Sequence, residues 1–265
     1  MTTPQTQSKA AEIWNSVWKN IFQAEPSELR LDFNSPYFIE INKVLNPKSA
    51  ILEIGCGTGA LSIALALKGY RVTATDCSDS ALTIMKANIS KVKVKDKIDI
   101  NTKLLDMLSP EDYPKEKFDA VICHSVFQYF SEIEIFQSIK SFSYVLNNGG
   151  YLFLGIRKKN IVIDFLKIFG FLDNYTTTNK NFYTKITMLN AYFKQTGFKL
   201  FKNDYYFTMS SVNSPYVKRI DKRPLSQYFN GLLKMIPFFT TFPLMLKLGN
   251  TKLVQNLMSL STAVQ

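Results

Sequence analysis

The stretch AILEIGCGTG, residues 50–59, decides the fold. Five residues, four of them apolar, are followed by glycines at every second position, which predicts a buried strand that ends in a loop. Gly55, Gly57 and Gly59 let the backbone adopt conformations closed to other residues, and they let a ligand approach without meeting a Cβ atom. Such a loop at the end of a strand indicates a site for a nucleoside-containing cofactor.

The spacing of the glycines separates two kinds of nucleotide ligand. Dinucleotide-binding loops have the spacing G-x-G-x-x-G and hold a pyrophosphate at the N-terminus of the next helix, whereas this loop has the spacing G-x-G-x-G. Glu53 stands two residues before the first glycine, and a carboxylate there would repel a pyrophosphate. The loop therefore favours a ligand that carries positive charge.

Strand and helix patterns alternate along the chain through residue 156. This alternation predicts an α/β fold with a doubly wound, mostly parallel sheet. Two further strands, at 197–200 and 204–209, are predicted to complete the sheet as an antiparallel pair. The other predicted strands are 51–54, 71–75, 98–104, 118–123 and 151–156, and the predicted helices are 9–22, 37–45, 59–67, 80–89, 133–146 and 187–196.

Acidic residues follow the second and third predicted strands, and open parallel sheets bind ligands outside the carboxyl ends of their strands. Asp76 closes the second strand, where its carboxylate can accept hydrogen bonds from both hydroxyls of a ribose. Its alternative role, capping the next helix, is better served by Ser78 or Asp79. Asp106 lies past the third strand, where it can accept from an adenine amino group while Met107 packs on the base. The alternative for Asp106 is an ordinary loop acid.

In their order and spacing these residues resemble the core of the class I S-adenosylmethionine-dependent methyltransferases over residues 45–210. The resemblance implies a seven-stranded sheet whose seventh strand is antiparallel, S-adenosylmethionine as cofactor and methyl transfer as the reaction. The cofactor carries a cationic sulfonium and an ammonium group, which suits the acid before the glycine loop. The residues that carry the resemblance are Glu53, Gly55, Gly57, Gly59, Asp76, Asp106 and the run Asn148-Gly149-Gly150-Tyr151; the cofactor contacts it implies also include Cys56, Thr58, Cys77, Met107 and His124.

His124, the only histidine of the chain, follows the fourth predicted strand. Members of the family that the chain resembles present residues to the transferred methyl group at this place. Because an imidazole titrates near neutral pH, His124 is a candidate catalytic base for an acceptor hydroxyl or ammonium group. The alternative is a packing or cofactor contact, since transfer from a sulfonium depends mainly on alignment of the two reacting groups.

Cys56, Cys77 and Cys123 are too few for a disulfide framework and indicate a reducing, cytoplasmic setting. They lie at the ends of the first, second and fourth predicted strands. A thiol cluster that binds a soft metal or metalloid, as in arsenite methyltransferases, is therefore one alternative. No C-x-x-C spacing supports it, so no metal site is predicted and an apolar filling role is favoured.

Three regions are predicted: an N-terminal helical cap at 1–45, a cofactor-binding domain at 46–214 with a substrate-side insert at 157–186, and a basic, apolar, helical appendage at 215–265 with no sheet element. We expect the methyl acceptor to lie between the cap and the insert, since both are rich in aromatic residues. It would be a small, apolar or lipid-like molecule methylated at oxygen or nitrogen. The candidate acceptor contacts are Trp14, Trp18, Tyr37, Phe127 and Tyr129.

Charge is distributed unevenly: residues 1–151 carry 16 Lys+Arg and 17 Asp+Glu, whereas residues 152–265 carry 16 and 4. The basic half favours an anionic partner or substrate. Nucleic acid is disfavoured, because the chain lacks the Asn/Asp-Pro-Pro-Tyr/Phe signature of amino-methylating DNA and RNA enzymes and its basic residues lie among Phe and Leu. Residues 215–265 are compatible with a peripheral contact with an anionic membrane. They are equally compatible with packing on the fold, or on a second copy of the chain in a homodimer.

Two alternatives to small-molecule methylation follow from this composition. Within the same fold, the basic half would serve as the footprint of an RNA or protein methyltransferase. Outside enzymes, the chain would be a non-catalytic cofactor-binding module at a membrane or a partner. Binding of the cofactor product S-adenosylhomocysteine would show that the cofactor site is functional, and absence of binding would show that it has lost this function.

Overall fold

The computed structural model describes residues 9–24, 29, 31–92, 98–157, 186–205 and 243–250. Most of the predicted insert and of the predicted appendage lies outside these residues. The helices are α1 (Lys9–Ala24), α2 (Pro36–Val44), α3 (Ala60–Leu67), α4 (Asp79–Ser90), α5 (Glu132–Val145) and α6 (Ile186–Gln195), with short 3-10 helices at Pro110–Asp112 and Phe127–Tyr129. The strands are β1 (Ala50–Ile54), β2 (Arg71–Asp76), β3 (Ile100–Leu104), β4 (Phe118–His124), β5 (Leu146–Arg157), β6 (Phe198–Tyr205) and β7 (Pro243–Asn250).

The seven strands form one sheet in the order β3-β2-β1-β4-β5-β7-β6. β1 pairs in parallel with β2 and β4, and parallel pairing continues outward to β3 and β5. β7 pairs antiparallel with both β5 and β6. The prediction of a doubly wound, mostly parallel sheet with an antiparallel seventh strand is confirmed. The strand order changes direction between β1 and β4, and ligands of such sheets bind at this switch point.

The last strand comes from a different part of the sequence than predicted. β6 runs to Tyr205, through the start of the strand predicted at 204–209, and β7 is formed by Pro243–Asn250. The prediction that 215–265 holds no sheet element is therefore wrong for these eight residues. The sequence favoured a hairpin because antiparallel neighbours are usually joined by short loops, and prolines discourage a strand assignment. Proline is nevertheless tolerated as the first residue of a strand, and Pro243 stands there.

Helices cover both faces of the sheet, so its central strands are largely buried and mostly apolar. All five residues of β1 are buried. Their side chains alternate between two clusters: Leu52 and Ile54 pack with α5 and α6, whereas Ile51 packs with α2, α3 and α4. β5 starts at Leu146, directly after α5 and not at Tyr151 as predicted.

Serine caps set the starts of two helices at the carboxyl edge of the sheet. The Ser78 hydroxyl accepts a hydrogen bond from the backbone N–H of Ala81 at the start of α4. The Ser35 hydroxyl accepts from the N–H of Tyr37 at the start of α2. Both helices therefore begin beside the loops that follow the strands. None of the described helices is both long and apolar enough to cross a membrane.

Candidate active site

The glycine loop after β1 is tied to the neighbouring strand by its backbone. The N–H groups of Gly55 and Cys56 both donate to the carbonyl of Thr75 in β2, at 2.8 and 2.9 Å. Gly55, Gly57 and Gly59 have φ values of +73°, +54° and +81°, which residues with a side chain rarely adopt. The loop is thereby held at the carboxyl edge of the sheet.

The glycines also leave room for close neighbours. A Cβ atom on Gly57 would lie 3.1 Å from Cζ2 of Trp18, and one on Gly55 would collide with Cγ2 of Val126. A Cβ atom on Gly59 would lie 2.6 Å from Cγ of Met85. A side chain at Gly55 or Gly59 would therefore force Val126 or Met85 to shift, and one at Gly57 would press on Trp18, in addition to the strain at positive φ.

Asp76 lies beside the loop and is bonded to it. One carboxylate oxygen accepts from the N–H of Gly57 at 2.9 Å, and the other accepts from the N–H of Ser78 at 2.9 Å. The side chain is only 6% exposed. Burial raises its pKa, and the two backbone hydrogen bonds act in the opposite direction. Each carboxylate oxygen has further acceptor capacity, as the predicted bidentate contact with a ribose requires.

Glu53 provides a second buried carboxyl group next to the loop. It is 6% exposed and accepts a hydrogen bond from the hydroxyl of Ser62 in α3. Burial raises its pKa from the ordinary 4.5 to about 7, with smaller contributions in the same direction from the charges of Asp32 and Asp76. Among the residues that the structure describes, no cationic side chain pairs with Glu53, and a buried carboxyl group of this kind is an expected binding site for a positively charged ligand group.

Asp106 and Met107 follow β3 as predicted. A carboxylate oxygen of Asp106 accepts from the N–H of Leu108 at 3.0 Å, and the N–H of Asp106 donates to the carboxylate of Asp112 at 3.2 Å. Met107 is 3% exposed and packs in the cluster formed with α5 and α6, and its carbonyl accepts from the hydroxyl of Tyr113. The turn is therefore rigid, and the adenine contact of both residues stays a prediction.

The cysteines do not form a cluster. The Cys56 thiol points to the sulfur of Met85, 3.5 Å away, in the cluster that packs against α2, α3 and α4. Cys123 packs in the cluster on the opposite face of the sheet. Cys56 and Cys123 therefore lie on opposite faces of the sheet, and over the described residues no group of three histidine, cysteine or acidic side chains is arranged to hold a metal ion. Burial raises the pKa of all three thiols, that of Cys77 to about 12.

His124 ends β4 and lies against Tyr37 of α2. The ring centroids are 4.7 Å apart and the ring planes are inclined by 32°. A Cβ atom on Gly155 of β5 would lie 2.7 Å from Cδ2 of His124 and would collide with the hydroxyl of Tyr37. Tyr37 is fully buried, and its ring packs against the imidazole. His124 itself is half-buried at the carboxyl edge of the sheet.

The chain turns sharply after His124. Ser125 has φ of +58°, one of two positive values at described residues other than glycine. The 3-10 helix that follows holds two predicted acceptor contacts. Phe127 is 1% exposed and stacks on Phe142, with ring centroids 6.2 Å apart and planes 2° from parallel, so it lies in the core. Tyr129 stays half-buried at the edge of the site.

Helix α1 lies across the same edge of the sheet. The ring of Trp14 meets Tyr129 edge-on, with centroids 4.9 Å apart, and Trp18 covers the glycine loop at Gly57. The ring centroids of Trp14 and Trp18 are 6.4 Å apart. Trp14 thus lies with the predicted acceptor contacts, whereas Trp18 lies at the cofactor loop.

Two asparagines at the site were missed by sequence reasoning. The side-chain oxygen of Asn15 accepts from the hydroxyl of Ser78 at 2.8 Å, and the amide of Asn88 donates to the carbonyl of Thr58 in the glycine loop at 3.0 Å. Both stand on helices, among residues that fit a helical pattern. The one available signal for Asn88 was a polar residue on the buried face of α4, where it is 4% exposed.

Comparison with known proteins agrees with this geometry. Residues 51–150 match the family model described as a methyltransferase domain. Residues 51–150 are thus a methyltransferase domain, and the sheet around them has the class I methyltransferase fold. The matched residues span β1 to the start of β5, which includes the glycine loop, all three predicted ligand acids and His124.

Sequence relatives of this methyltransferase chain align with part of it. The probable S-adenosyl-L-methionine-dependent methyltransferase TehB of Haemophilus influenzae is 28% identical over 113 residues, 43% of this chain and 37% of that protein. The ubiquinone biosynthesis O-methyltransferase of Nitrosomonas europaea is 28% identical over 156 residues, 58% of this chain and 61% of that protein. The chain thus spans less than two thirds of the length of these relatives.

Solved structures show the same fold over nearly the whole chain. Magnesium protoporphyrin IX methyltransferase from Synechocystis PCC 6803, with bound S-adenosylhomocysteine, has a TM-score of 0.65 at 16% identity, and the match covers 91% of this chain and 98% of that one. The cyclopropane synthase MmaA2 of Mycobacterium tuberculosis has a TM-score of 0.62 at 14% identity and coverage of 93% and 100%. At these identities the likeness concerns the fold.

S-adenosylmethionine is the cofactor of this methyltransferase family, and the site fits it. The loop after β1 has three glycines with positive φ, as a nucleoside-binding loop at a strand end requires, and Asp76 offers two oxygens to a ribose. Glu53 offers a buried carboxyl group to a cationic group. A dinucleotide fits worse, because the carboxyl group of Glu53 lies next to the loop that would hold its pyrophosphate.

Proposed function

We propose that this protein transfers the methyl group of S-adenosylmethionine to an oxygen or nitrogen atom of a small, apolar acceptor. The observation that carries the proposal is the placing of the cofactor loop, with its two buried acids, beside an aromatic wall formed by Trp14 and Tyr129. An aromatic wall with few polar groups suits an apolar acceptor.

The bound cofactor supplies an electrophilic methyl group. Glu53 would hold its cationic amino-acid end, because a buried carboxylate gains more from a positive charge than an exposed one does. Asp76 would fix the ribose through charge-assisted hydrogen bonds. Helix α1 covers the loop with Trp18, which excludes water from the cofactor side of the site.

We further propose that His124 accepts a proton from the methyl acceptor. It ends β4 at the carboxyl edge of the sheet, half-buried, with its ring supported by Tyr37. An imidazole in this position would take the proton of a hydroxyl or ammonium group as that group attacks. Relatives named as ubiquinone biosynthesis O-methyltransferases, such as that of Nitrosomonas europaea, support oxygen as the methylated atom.

Binding of S-adenosylhomocysteine tests the cofactor half of the proposal. Calorimetry should show stoichiometric binding to the wild type, and Asp76→Asn should weaken it at least about tenfold, because hydrogen bonds to a charged group are lost. Asp79→Asn is the matched control, since Asp79 is an exposed acid on the next turn. Absence of binding to the wild type would overturn the proposed function.

Methyl transfer tests the acceptor half. The protein is incubated with S-adenosylmethionine carrying a tritiated methyl group and, separately, with a lipid and small-molecule extract, total RNA and total protein. We expect label in the organic extract alone; label in the RNA or protein pool would support the alternative acceptors instead. His124→Ala should lower the rate by about a hundredfold if His124 is the base, whereas a rate within a few-fold of wild type would refute that role.

An anionic membrane surface is a further proposed partner of the basic half, with a net charge of +12 over residues 152–265. Part of the apolar stretch that suggested it belongs to β7, which pairs with β5 and β6 and is not free to enter a bilayer. A chain ending at Ser214 would lose that strand. The better test is co-sedimentation of the full chain with phosphatidylserine vesicles, comparing wild type with a variant in which Lys218, Arg219, Lys222 and Arg223 are replaced by Gln; equal partitioning would refute the contact.

A further inference from the structure

Helix α1 contacts three separate parts of the site within two turns. Trp14 lies on Tyr129 after β4, Asn15 bonds to the start of α4, and Trp18 covers the glycine loop. The first contact belongs to the acceptor side and the third to the cofactor side. Asn15 lies between them and makes the polar contact.

The side-chain oxygen of Asn15 faces two hydrogen-bond donors. Its side-chain oxygen accepts from the hydroxyl of Ser78 at 2.8 Å and lies 3.4 Å from the N–H of Ser80. The hydroxyl oxygen of Ser78 accepts from the N–H of Ala81, so its hydrogen is available for Asn15. An oxygen is therefore required at this position of α1, because both groups that face it are donors.

Ser78 also bonds to Asp76, the predicted ribose ligand. Its side chain is fully buried, and its N–H donates to Asp76 at 2.9 Å, while the other oxygen of Asp76 accepts from Gly57. A continuous chain of hydrogen bonds thus runs from α1 through the start of α4 to the glycine loop. Movement of α1 away from the site would break this hydrogen bond, whereas loss of the Asn15 oxygen with α1 in place would leave the buried Ser78 hydroxyl without its acceptor.

We propose that Asn15 is a positioning residue that couples docking of α1 to binding of the nucleoside cofactor. With Asn15 bonded, Ser78 holds Asp76 for the ribose, Trp18 covers the loop and Trp14 completes the acceptor wall. Because coupling between two events is reciprocal, bound cofactor favours docked α1 by the same factor that docked α1 favours cofactor. Bound cofactor would thereby favour the complete acceptor wall. This inference rests on the proposed function for the identity of the cofactor.

The chain offers a selective probe for this coupling. It has two tryptophans, and both lie on α1, so intrinsic tryptophan fluorescence reports the docking of that helix alone. Quenching by acrylamide measures how far the two rings are exposed to solvent. Calorimetry with S-adenosylhomocysteine measures binding on the same samples.

Three variants test the role of the Asn15 oxygen. Asn15→Ala removes the acceptor and should weaken S-adenosylhomocysteine about fivefold to tenfold, the loss expected for one hydrogen bond that leaves a buried donor unpaired. It should also raise the quenching constant. Asn15→Asp keeps an oxygen in place at the N-terminus of α4, which favours a negative group, and should stay near wild type in both measurements. Ser16→Ala, on the exposed side of α1, is the matched control.

The outcomes separate the inference from the proposed function. Wild-type affinity and wild-type quenching for Asn15→Ala would overturn the inference, as would increased quenching with unchanged affinity, because the two events would then be uncoupled. Failure of Asn15→Asp to restore binding would also contradict it, since the required group is an oxygen acceptor. If the wild type binds no S-adenosylhomocysteine, the proposed function fails, and the quenching of ligand-free Asn15→Ala still decides whether Asn15 docks α1.

Discussion

The ring of Tyr37 lies on the imidazole of His124, with centroids 4.7 Å apart, and its hydroxyl fills the space that a side chain on Gly155 would occupy. A fully buried tyrosine from α2 thus sets the position of the one histidine in the chain. The absence of a side chain at Gly155 is what allows the two rings to stack above β5. This arrangement can be tested without knowledge of the methyl acceptor.

Gly155→Ala should destabilise the protein through this contact. The added methyl group would overlap the Tyr37 hydroxyl and lie 2.7 Å from His124, and overpacking of this kind costs about 1–3 kcal/mol. Tyr37→Phe removes the hydroxyl, so the double variant should recover part of that loss in urea unfolding. If the two substitutions were additive, the hydroxyl would not be the group that excludes a side chain at Gly155.

His124 should report the Tyr37 ring directly. As the only histidine, it gives one set of imidazole signals in a proton–carbon NMR spectrum. Tyr37→Phe keeps an aromatic ring over the imidazole and should leave those signals near their wild-type positions. Tyr37→Leu removes the ring current and should move them, and it should also destabilise the fold by about 2 kcal/mol because a large buried ring is lost. Unmoved signals in Tyr37→Leu would show that the rings are not stacked in solution.

Local sequence signals were enough to predict the cofactor side of the site. β1, the glycine loop and Asp76 are close together in sequence, and each has a pattern with one physical interpretation: a buried strand, an open backbone and an acid at a strand end. The sheet through β5 follows from the same alternation of strands and helices. These features depend on neighbours along the chain, so no knowledge of tertiary packing was needed.

The features that sequence reasoning missed depend on contacts between distant residues. Asn15 meets Ser78 across 63 positions, and nothing in the pattern of α1 indicates a polar partner. Pro243–Asn250 enters the sheet far along the chain from β6, so its pairing with β5 could not be inferred from spacing. Phe127 was predicted to face the acceptor, yet an aromatic residue after a strand serves equally well in the core, where it stacks on Phe142.

Ser125→Gly should stabilise the protein. Ser125 has φ of +58°, a conformation that costs a residue with a side chain about 1–2 kcal/mol, and glycine adopts it freely but loses about 0.5–1 kcal/mol more chain entropy. A net gain of about 0.5–1 kcal/mol is expected, which would raise the melting temperature by about 2–4 °C. Ser125→Ala should give no gain, since it removes the hydroxyl but keeps the strain.

Lys48→Gly is the matched control for this turn. Lys48 has φ of +72° and lies before β1, at the opposite edge of the sheet from His124. Lys48→Gly should raise the melting temperature by about as much as Ser125→Gly does, and it should leave S-adenosylhomocysteine binding unchanged. Lower stability of Ser125→Gly would mean that interactions of the serine side chain outweigh the backbone strain.

Glu53 should make both stability and cofactor binding depend on pH. Because its pKa is raised from 4.5 to about 7, the folded chain holds a proton that the unfolded chain releases between these values. The stability contributed by the protonated group is therefore complete below about pH 4.5 and is lost as the pH rises through 7. The loss amounts to about 3 kcal/mol. Glu53→Gln should flatten the pH dependence of urea unfolding over this range without abolishing the contribution of Asp76, whose pKa is also raised.

The same titration should appear in cofactor binding with the opposite sign. The ammonium group of S-adenosylhomocysteine favours the ionised form of Glu53, so its affinity should rise almost tenfold between pH 6 and pH 8 as the carboxyl group loses its proton. Calorimetry at pH 6 in two buffers of different ionisation enthalpy should show release of close to one proton. 5′-Methylthioadenosine, which lacks the amino-acid end, is the control ligand and should bind independently of pH. Equal pH dependence for the two ligands, or an unchanged slope in Glu53→Gln, would place the cationic group away from Glu53.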